Sequence, residues 1–402
     1  MRLLHTSDWH LGRTLHGMEL IAEQRSALQH IIEVARERHV DAVIVSGDVF
    51  DRGVPPVEAV DLFHDTLREL AAFTTVVVSS GNHDNAIRLG FGADLFTDRV
   101  HVRTRVTPEH IGTPVELSDE HGPVLVFPLP WLDPDVARHR LAEGEPLART
   151  HEAVMTAAVD LVRDAVGKRE AELGAPVRSV VMAHAFVGHV GSSSQSTAEP
   201  TVSDSERDIS VGGVALVPSH VFAGISYTAL GHLHGPQQPR LDGPGVVRYS
   251  GSPLRYSFSE AGHVKSVTIV ELGPGGSVQT ELVPVPQPRP MAQIEGPIAD
   301  LLMLEEHDVH VGAWIKAIVT DPIRPELMVD RLRQRFPHLL SAQHLPEGRP
   351  IDLGGVGPGT LVDPIEVVLR FVADATGRDT TDDETNLVRK YFESVRREEE
   401  DA

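Results

Sequence analysis

Short apolar runs alternate with longer stretches of helical spacing over roughly the first 270 residues of the chain. The apolar runs predict strands at Arg2 to Thr6, Ala42 to Val45, Val76 to Val78, Val177 to Met182 and Tyr227 to Leu230. Helical spacing predicts one helix from about Glu19 to His39 and another from about Val57 to Phe73. Such alternation of strands and helices indicates βαβ units and an α/β domain.

The pattern changes near Leu272 to Gly276, where the glycine-rich ELGPGG precedes the proline-rich VPVPQPRP. Proline-rich chain favours extended structure, so we expect this stretch to cross between two domains. The chain beyond it predicts a compact α+β module, with strands at Ala292 to Ile294, Ala313 to Thr320 and Leu339 to His344 and helices at Pro297 to Leu304 and Pro325 to Phe336.

A helical pair is predicted near the C-terminus, after a glycine-rich break at Gly354 to Gly359. Asp363 can cap the first helix, with Pro364 in its first position. The two apolar faces comprise Ile365, Val368, Leu369 and Val372, and then Leu387, Val388, Tyr391, Phe392 and Val395. The alternative is that the two helices form only a hairpin that packs on the rest of the protein. We therefore predict three domains, at residues 1–274, 275–354 and 355–402.

Five polar blocks each follow one of the predicted strands of the first domain, namely DWH at Asp8 to His10, SGDVFDR at Ser46 to Arg52, GNHD at Gly81 to Asp84, AH at His184 and GHLH at Gly231 to His234. Residues two apart on extended chain point the same way, so Asp8 with His10 can present two ligands to one spot. The same holds for His232 with His234. Sites in open α/β sheets gather beyond the carboxyl ends of the strands. The blocks therefore predict a dinuclear metal site.

Composition narrows the type of metal site. The chain has no cysteine, which excludes thiolate zinc sites and disulfides. Ligands must then come from His, Asp, Asn or Glu, and such a mixed set suits Mn, Fe or Zn. Single blocks also have structural explanations, because Asn82 can serve a turn and Asp51 can cap a helix. The Gly/Ser/Thr-rich stretch from Gly188 to Ser205 predicts a loop at the rim of the site.

The formal net charge of -22 is unusual for a protein that binds nucleic acid, since phosphate contacts normally come from clustered Lys and Arg. It does not exclude DNA, because bound divalent ions can be the largest local charges in a site and a partner could supply a basic groove. No apolar run approaches the ~18 to 20 residues of a membrane span, and the N-terminus enters a strand at once. We therefore expect a cytoplasmic protein without a membrane segment.

The five blocks, in this order, resemble the calcineurin-like metallophosphoesterases. Longer segments around the blocks are similar to the SbcD family, whose members are nuclease subunits that act with the SMC-like ATPase SbcC. These segments are HTSDWHLGRTLHG, RDISVGG, ALGHLHGPQ and RYSGSPLRYSFSE. The resemblance is strong over most of residues 1–270. In the rest of the chain, only the pattern of predicted strands and helices is similar. It implies a metallophosphoesterase β-sandwich core flanked by helices, with a smaller α+β capping domain and a C-terminal helical pair.

Carried over by motif position, the resemblance implies two divalent ions, with Mn²⁺ as the expected metal. Their ligands would be Asp8, His10, Asp48 and His234 for one ion, and Asp48, Asn82, His184 and His232 for the other. Asp48 would bridge, which agrees with the need of two cations ~3.5 to 4 Å apart for a shared anion. His83 would face the scissile phosphate as proton donor or transition-state stabiliser, and Asp51 would orient it. Arg13 and Arg52 are candidate phosphate contacts.

The resemblance also implies a function in DNA repair, recombination and replication. The expected activities are ATP-linked 3′ to 5′ exonuclease action on double-stranded ends and endonuclease action on single strands and hairpins. The expected partners are DNA, SbcC bound to the terminal helices, and a second copy in a homodimer within a nucleoid-associated heterotetramer.

Two other functions use the same residues. One is a stand-alone phosphatase or cyclic-nucleotide phosphodiesterase, which the long chain beyond the core disfavours because small substrates need no cap. The other is a DNA-end scaffold with structural metals, which the complete set of candidate ligands together with His83 disfavours.

Overall fold

A computed structural model describes residues 1–96, 98–190, 197–198, 201–203, 216–346, 365–366, 368–369, 371–372, 378 and 380–400. The chain divides into two compact units, Met1–Pro290 and Met291–Ala402. Each unit has its own buried apolar core. Among the described residues, none of the helices combines the length and the apolar character needed to cross a bilayer.

The described secondary structure is as follows. The strands are β1 (Arg2–Thr6), β2 (Thr14–Leu15), β3 (Met18–Glu19), β4 (Ala42–Ser46), β5 (Thr75–Ser79), β6 (Val100–Arg103), β7 (Val115–Asp119), β8 (Gly122–Pro128), β9 (Arg178–His184), β10 (Val187–Val190), β11 (Thr197–Ala198), β12 (Val217–Pro218), β13 (Tyr227–Gly231), β14 (Val246–Tyr249), β15 (Ser266–Leu272), β16 (Val278–Pro284), β17 (Met291–Gly296), β18 (Trp314–Val319) and β19 (Leu339–His344). The α-helices are α1 (Ile21–Glu37), α2 (Val57–Ala71), α3 (Ala86–Leu89), α4 (Pro108–Gly112), α5 (Pro134–Arg140), α6 (His151–Leu173), α7 (Ile298–Met303), α8 (Met328–Arg335) and α9 (Asp382–Glu400). Short 3-10 helices span Ala93–Leu95, Ser219–Phe222, Phe258–Glu260, Pro274–Gly276 and Glu305–His310.

Two large sheets dominate the first unit, in the strand orders β16-β15-β1-β4-β5-β6 and β14-β13-β9-β8-β7. The strands β1, β4, β5 and β6 are parallel, as are β8, β9, β13 and β14. One core joins the two sheets, where Leu3, Ile44 and Val77 of the first sheet pack with Val126 and Val180 of the second. This packing is the predicted β-sandwich.

Helices cover the outer faces of the sandwich. The helices α1 and α2 pack on each other, and α2 contacts β5. On the second sheet, α6 places Val154 in a core that contains Phe127 of β8. The side chain of Thr150 caps α6 by accepting a hydrogen bond from the backbone of Ala153, and Gly174 ends the helix with a φ of 65°. The two helices predicted in the N-terminal part of the first unit are confirmed as α1 and α2.

The five predicted strands that precede the polar blocks are confirmed as β1, β4, β5, β9 and β13. Neighbouring strands among them pair in parallel, β1 with β4, β4 with β5, and β9 with β13. Parallel strands end at the same edge of a sheet, so the blocks that follow them start close together.

The first unit extends beyond the boundary predicted between residues 274 and 275, so that prediction is corrected to Pro290 and Met291. The strands β15 and β16 pair antiparallel along their whole length, with the Pro274–Gly276 turn between them. Glycine and proline favour tight turns as much as linkers. ELGPGG therefore marks a hairpin within the first sheet.

The stretch from Gly188 to Ser205, predicted as a loop, contains strand structure. The strand β10 pairs antiparallel with β11 and parallel with β12, which forms a small separate sheet. Residues 191–196, 199–200 and 204–215 lie outside the described residues. Glycine and serine content indicated a loop, but it carries no information on backbone pairing with the distant β12.

Three parallel strands form the sheet of the second unit, in the order β17-β18-β19. The helix α7 follows β17 and α8 follows β18, which gives a βαβαβ arrangement. Its core is built from apolar side chains that include Ile294, Leu301, Ile315, Leu332 and Phe336. All five elements predicted for this module are confirmed.

The second of the two predicted terminal helices is confirmed as α9. Residues 365–366, 368–369 and 371–372 are also helical, where the first was expected. Its proposed cap, Asp363 with Pro364, and the predicted division at residues 354 and 355 lie outside the described residues.

Candidate metal centre

The loops that follow β1 and β4 run side by side. The backbone N–H of Asp8 donates to the carbonyl oxygen of Gly47 at 3.1 Å, and that of His10 donates to the carbonyl oxygen of Asp48 at 3.0 Å. These hydrogen bonds bring the DWH and SGDVFDR blocks together at the ends of two neighbouring strands.

Four of the predicted site residues have left-handed backbone. The φ angles are 54° at Asp8, 43° at His10, 49° at Asp48 and 102° at His232. Residues other than glycine adopt such angles at a cost, and they concentrate at functional sites where surrounding structure enforces them. The four angles aim the side chains inward from the strand ends.

The first group of ligand atoms consists of Asp8, His10, Asp48 and His234. The Nε2 atoms of His10 and His234 lie 3.1 Å apart, and His10 Nε2 lies 3.5 Å from Asp48 Oδ2. Potential donor atoms of Asp8, His10 and His234 all lie within 4.8 Å of one another. Imidazole nitrogens this close, beside a carboxylate, match the donor set of a bound cation.

The second group consists of Asp48, Asn82, His184 and His232. The Oδ1 atom of Asn82 lies 3.0 Å from His184 Nε2 and 3.1 Å from His232 Nδ1. Asp48 Oδ2 lies 3.3 Å from His184 Nε2. The same carboxylate oxygen of Asp48 therefore faces both groups. Asp8 also lies near the second group, since Asp8, Asp48 and His184 form a third close set.

The pocket has room for these side chains because glycine stands at three positions, the first of which is Gly47, where a Cβ atom would lie 2.4 Å from His184 Nδ1. A Cβ atom on Gly81 would lie 2.1 Å from Asp48 Oδ1, and one on Gly231 would lie 1.9 Å from the carbonyl oxygen of Ser46. A side chain at any of the three positions would collide with a ligand side chain or with the backbone beside it. The glycines of GNHD and GHLH are thus part of the site, and the residues present fit two divalent ions.

Burial shapes the charge state of the ligands. It raises the pKa of Asp8 to about 7 and lowers the pKa of His10 to about 4. Burial also opposes charge on His184, but the carboxylates of Asp48 and Asp8 raise its pKa to about 9. Burial alone would raise the pKa of Asp48, yet attraction to His184 and His10 holds it well below its ordinary value. A divalent ion would favour ionised carboxylates and neutral imidazoles throughout this cluster.

Asp84 ties two of the polar blocks together. Its carboxylate accepts hydrogen bonds from the backbone of Val49 at 3.1 Å, Phe50 at 2.9 Å and Gly81 at 2.9 Å. It thereby holds the SGDVFDR loop against GNHD. Sequence reasoning assigned no role to Asp84, although its place as the last residue of GNHD was a usable signal.

His83 lies next to the ligands and is partly exposed. Its backbone N–H donates to Asp48 Oδ1 at 2.9 Å, and its Nδ1 lies 2.8 Å from the backbone carbonyl oxygen of Asp51. A carbonyl oxygen only accepts, so Nδ1 carries the proton and Nε2 is the ring nitrogen left for another partner. The ring meets His10 edge-on, with centroids 4.8 Å apart.

The expected role of the Asp51 side chain is corrected by these contacts. Its carboxylate pairs with Arg13 at 3.2 Å and lies 3.5 Å from His10 Nδ1, so its hydrogen-bonding contacts are with these two side chains and it is not the group that orients the ring of His83. The backbone carbonyl of the same residue takes that task. Sequence spacing located Asp51 beside His83 but could not tell which of its oxygens is used.

The two candidate phosphate contacts differ in their surroundings. Arg13 is partly buried, ion-paired with Asp51, and lies over the ring of Tyr256 at 5.2 Å. Arg52 is exposed. The structure therefore leaves Arg52 accessible to a ligand and engages Arg13 in the support of the site.

Trp131 is a site residue that sequence reasoning missed. Its ring stacks on His232 with centroids 5.6 Å apart and meets His184 edge-on at 6.0 Å. It lies shortly after β8, another parallel strand, which was the available signal. Trp9, by contrast, is fully buried and donates to the side chain of Thr6 at 3.0 Å, so it packs within the core.

Comparison with known proteins gives a family match in the first unit. The model of the calcineurin-like phosphoesterase family matches residues 1–139, which include the first three ligand blocks. Among solved structures, the crystal structure of TT1561 of Thermus thermophilus is similar over 70% of this chain and 98% of that chain, with 16% identity and a TM-score of 0.36.

Two curated relatives are both described as the SbcD component of the nuclease SbcCD. The protein of Staphylococcus epidermidis (strain ATCC 12228 / FDA PCI 1200) is 26% identical over 354 residues, 86% of each chain. That of Bacillus subtilis (strain 168) is 32% identical over 351 residues, 84% of each chain. At this identity over most of both proteins, the chain belongs to the SbcD family of nuclease subunits, within the calcineurin-like phosphoesterases.

Proposed function

We propose that this chain is a two-metal DNA phosphodiesterase. Its family membership shows a metal-dependent nuclease role in an SbcCD complex, and the proposal adds the number of metal ions and the reactions. The proposed activities are 3′ to 5′ exonuclease action on double-stranded ends and endonuclease action on single strands and hairpins, linked to ATP use by SbcC. The observation that supports two metals best is the convergence of two groups of ligand atoms on Asp48. Paired sites of this kind suit in-line displacement at phosphorus.

The proposed ligands follow the two groups. Each group offers two oxygen and two nitrogen atoms, from Asp8, His10, Asp48 and His234 and from Asp48, Asn82, His184 and His232. We infer Mn²⁺ as the ion from the family resemblance, because the mixed donor set by itself suits Mn, Fe and Zn alike. When bound, the ions supply positive charge that stabilises the phosphate oxygens and makes a water molecule a better nucleophile.

His83 is proposed as the proton donor to the leaving oxygen, or as its hydrogen-bond stabiliser. Its Nδ1–H donates to the backbone carbonyl of Asp51, so Nε2 is the ring nitrogen available to the leaving oxygen, and it donates there when the ring carries a proton on both nitrogens. Its backbone is tied to Asp48, which couples its position to that of the ligands. Arg52 is exposed and is the proposed contact to the DNA backbone. Arg13 is proposed to support the site through its ion pair with Asp51.

A homodimer is proposed from an exposed apolar surface next to GNHD. Ile87, Phe91 and Leu95 are 86%, 85% and 88% exposed. Gly53 lies against Asn85, which brings the exposed Val54 close to the same surface. Apolar patches of this kind usually mark protein contacts. We infer that a second copy of this chain covers it, within a heterotetramer with SbcC.

The terminal helices are the proposed binding site for SbcC. On α9, Leu387 and Tyr391 lie one turn apart and are both exposed, as is Phe371 in the preceding helical residues. An amphipathic helix that leaves its apolar face exposed suits a groove on a partner. The unit from Met291 to about residue 346 is the proposed DNA-binding cap.

The isolated chain is expected to bind duplex DNA weakly without metal or SbcC. Its net charge of -22 offers little basic surface from which DNA could release counterions. Filter binding at physiological salt measures this directly. Tight binding that does not depend on metal would contradict the proposed need for ions and partner.

The decisive experiment uses linear duplex DNA with the purified chain, with and without SbcC, ATP and Mn²⁺. We expect duplex degradation from 3′ ends only when all are present, and single-strand cleavage with the chain and Mn²⁺ alone. Hydrolysis of small phosphoesters or cyclic nucleotides with intact DNA would identify a phosphatase instead. Metal binding without any hydrolysis would identify a scaffold.

A further inference from the structure

A buried ion pair lies behind one of the metal-facing histidines. The carboxylate of Glu260 and the ammonium group of Lys265 lie 2.6 Å apart, and both side chains are 0% exposed. Glu260 ends a short 3-10 helix, and Lys265 directly precedes β15. The removal of two charges from water costs several kcal/mol per ion, and apolar substitutes are often as stable. A fully buried pair therefore calls for a reason other than stability.

Both members of the pair hold His234. Glu260 Oε1 lies 3.3 Å from His234 Nδ1, and Lys265 Nζ donates to the backbone carbonyl of His234 at 2.8 Å. Lys265 also donates to Ser252 at 2.9 Å, and the backbone of Tyr256 donates to Glu260 at 3.2 Å. The Glu260–Lys265 ion pair thus holds both the ring and the backbone of His234.

The carboxylate determines which ring nitrogen of His234 is available. A carboxylate behind Nδ1 places the proton there, which leaves the lone pair on Nε2, the atom that lies 3.1 Å from His10 Nε2. A charged acceptor also makes the imidazole a stronger ligand. His184 differs, because its Nδ1 faces the neutral carbonyl oxygen of Ser46 at 2.9 Å.

We propose that Glu260, held in place by Lys265, is a positioning residue that sets the tautomer of His234 and strengthens metal binding at the first group of ligands alone. This inference rests on the proposed two-metal function and deepens it. The two ions would then differ in affinity because a charged support stands behind one ligand histidine and a neutral support behind another.

The test compares paired substitutions that remove both members of an ion pair at once. Glu260→Leu with Lys265→Met removes the support, and Glu260→Gln with Lys265→Met restores a neutral acceptor for His234. The control is Asp119→Leu with Arg178→Met, because that ion pair lies at the opposite end of β9 from His184. Mn²⁺ titration of the full-length chain by calorimetry and by electron paramagnetic resonance resolves the two sites.

We expect Glu260→Leu with Lys265→Met to weaken the affinity of one of the two Mn²⁺ sites by roughly 10- to 100-fold and to leave the other unchanged. This is the usual effect of removing the hydrogen-bond partner of a ligand histidine. The Gln variant should recover part of this loss, and the control should match the wild type. Unchanged affinities, or equal weakening of both sites, would overturn the inference.

A second readout does not depend on metal. In the metal-free chain labelled with ¹⁵N-histidine, the wild type should show the His234 proton on Nδ1, and the Leu variant should lose that preference. If the wild type binds fewer than two Mn²⁺ ions, the proposed function fails, and the tautomer measurement still decides the role of Glu260. An unchanged tautomer in the Leu variant would refute that role.

Discussion

The interiors of the two units differ in kind. Beneath the strand ends of the first unit lie buried carboxylates and imidazoles, several on left-handed backbone. The core of the second unit, between β17 to β19 and its helices, is built from apolar side chains. The first interior is thus arranged around chemistry, at a cost in backbone strain and desolvation.

This difference indicates where each unit performs its role. The core of the second unit serves the fold alone, so any contact it makes with DNA or SbcC must come from its surface. Changes in the first interior should therefore alter metal binding and catalysis, whereas changes in the second should alter stability.

The largest effect is expected at Asp48, whose carboxylate faces both groups of ligands. Asp48→Ala should lower the metal content at both sites and abolish nuclease activity, because each ion loses a ligand. Elemental analysis of the purified chain measures this, with Asp61→Ala on the exposed face of α2 as control. Retention of two metal equivalents would rule out a bridging role.

His83→Ala separates chemistry from metal binding within the same interior. It should lower the cleavage rate by about 10² to 10⁴-fold, the usual range for a positioned acid or base, while metal content stays near two per chain. His64→Ala, at an exposed position of α2, is the matched control. If the variant loses metal instead, His83 is a ligand, as its closeness to His10 and Asp48 would allow.

Leu332→Ala tests the second interior. Leu332 is fully buried, so we expect the free energy of unfolding of the second unit to fall by about 2–5 kcal/mol. Mn²⁺ content should not change. Hydrogen exchange of β18 peptides measures this decrease in the free energy of unfolding. Leu327→Ala, at an exposed position, should change that free energy by less than about 0.5 kcal/mol. A drop in metal content would show that the two interiors are coupled.

Asp119→Asn is expected to have the smallest effect, since it removes a charge of the first unit far from the metal site. Arg178 and then the N-terminal amino group hold the pKa of Asp119 well below its ordinary value of 3.8. The lowered pKa means that the stabilisation is fully present above pH 3.8 and is lost progressively as the pH falls from there towards the pKa of the folded state. The melting temperature should drop by roughly 2–4 °C at pH 7.

The same substitution should have a smaller effect near pH 3, a value below the ordinary pKa of 3.8. There the carboxyl group is mostly protonated in the unfolded chain and still ionised in the folded one, so part of its stabilisation is already lost. Thermal melts at the two pH values measure the contrast. An equal drop at both would show that the hydrogen bonds of Asp119, and not its charge, stabilise the chain.

Much of the site could be predicted because its parts are local in sequence. Each ligand block directly follows a strand, and parallel pairing brings the strand ends together without further information. The direction of the Asp51 carboxylate could not be predicted, since it depends on Arg13 and His10 in another loop. Trp131 was missed for a similar reason, because nothing nearby in sequence shows that it stacks on His232.

By itself, the sequence determined the five strands that precede the ligand blocks, the helices α1 and α2, the strands and helices of the smaller module, and the polar residues that stand at the strand ends. These follow from periodicity and from residue type, which each short segment carries on its own. Tertiary structure alone decided that ELGPGG is a hairpin turn in the first sheet, that β10 pairs with β12, and that Glu260 and Lys265 stand behind His234. Those features depend on contacts between segments far apart in the chain, and no local pattern encodes which distant segments meet.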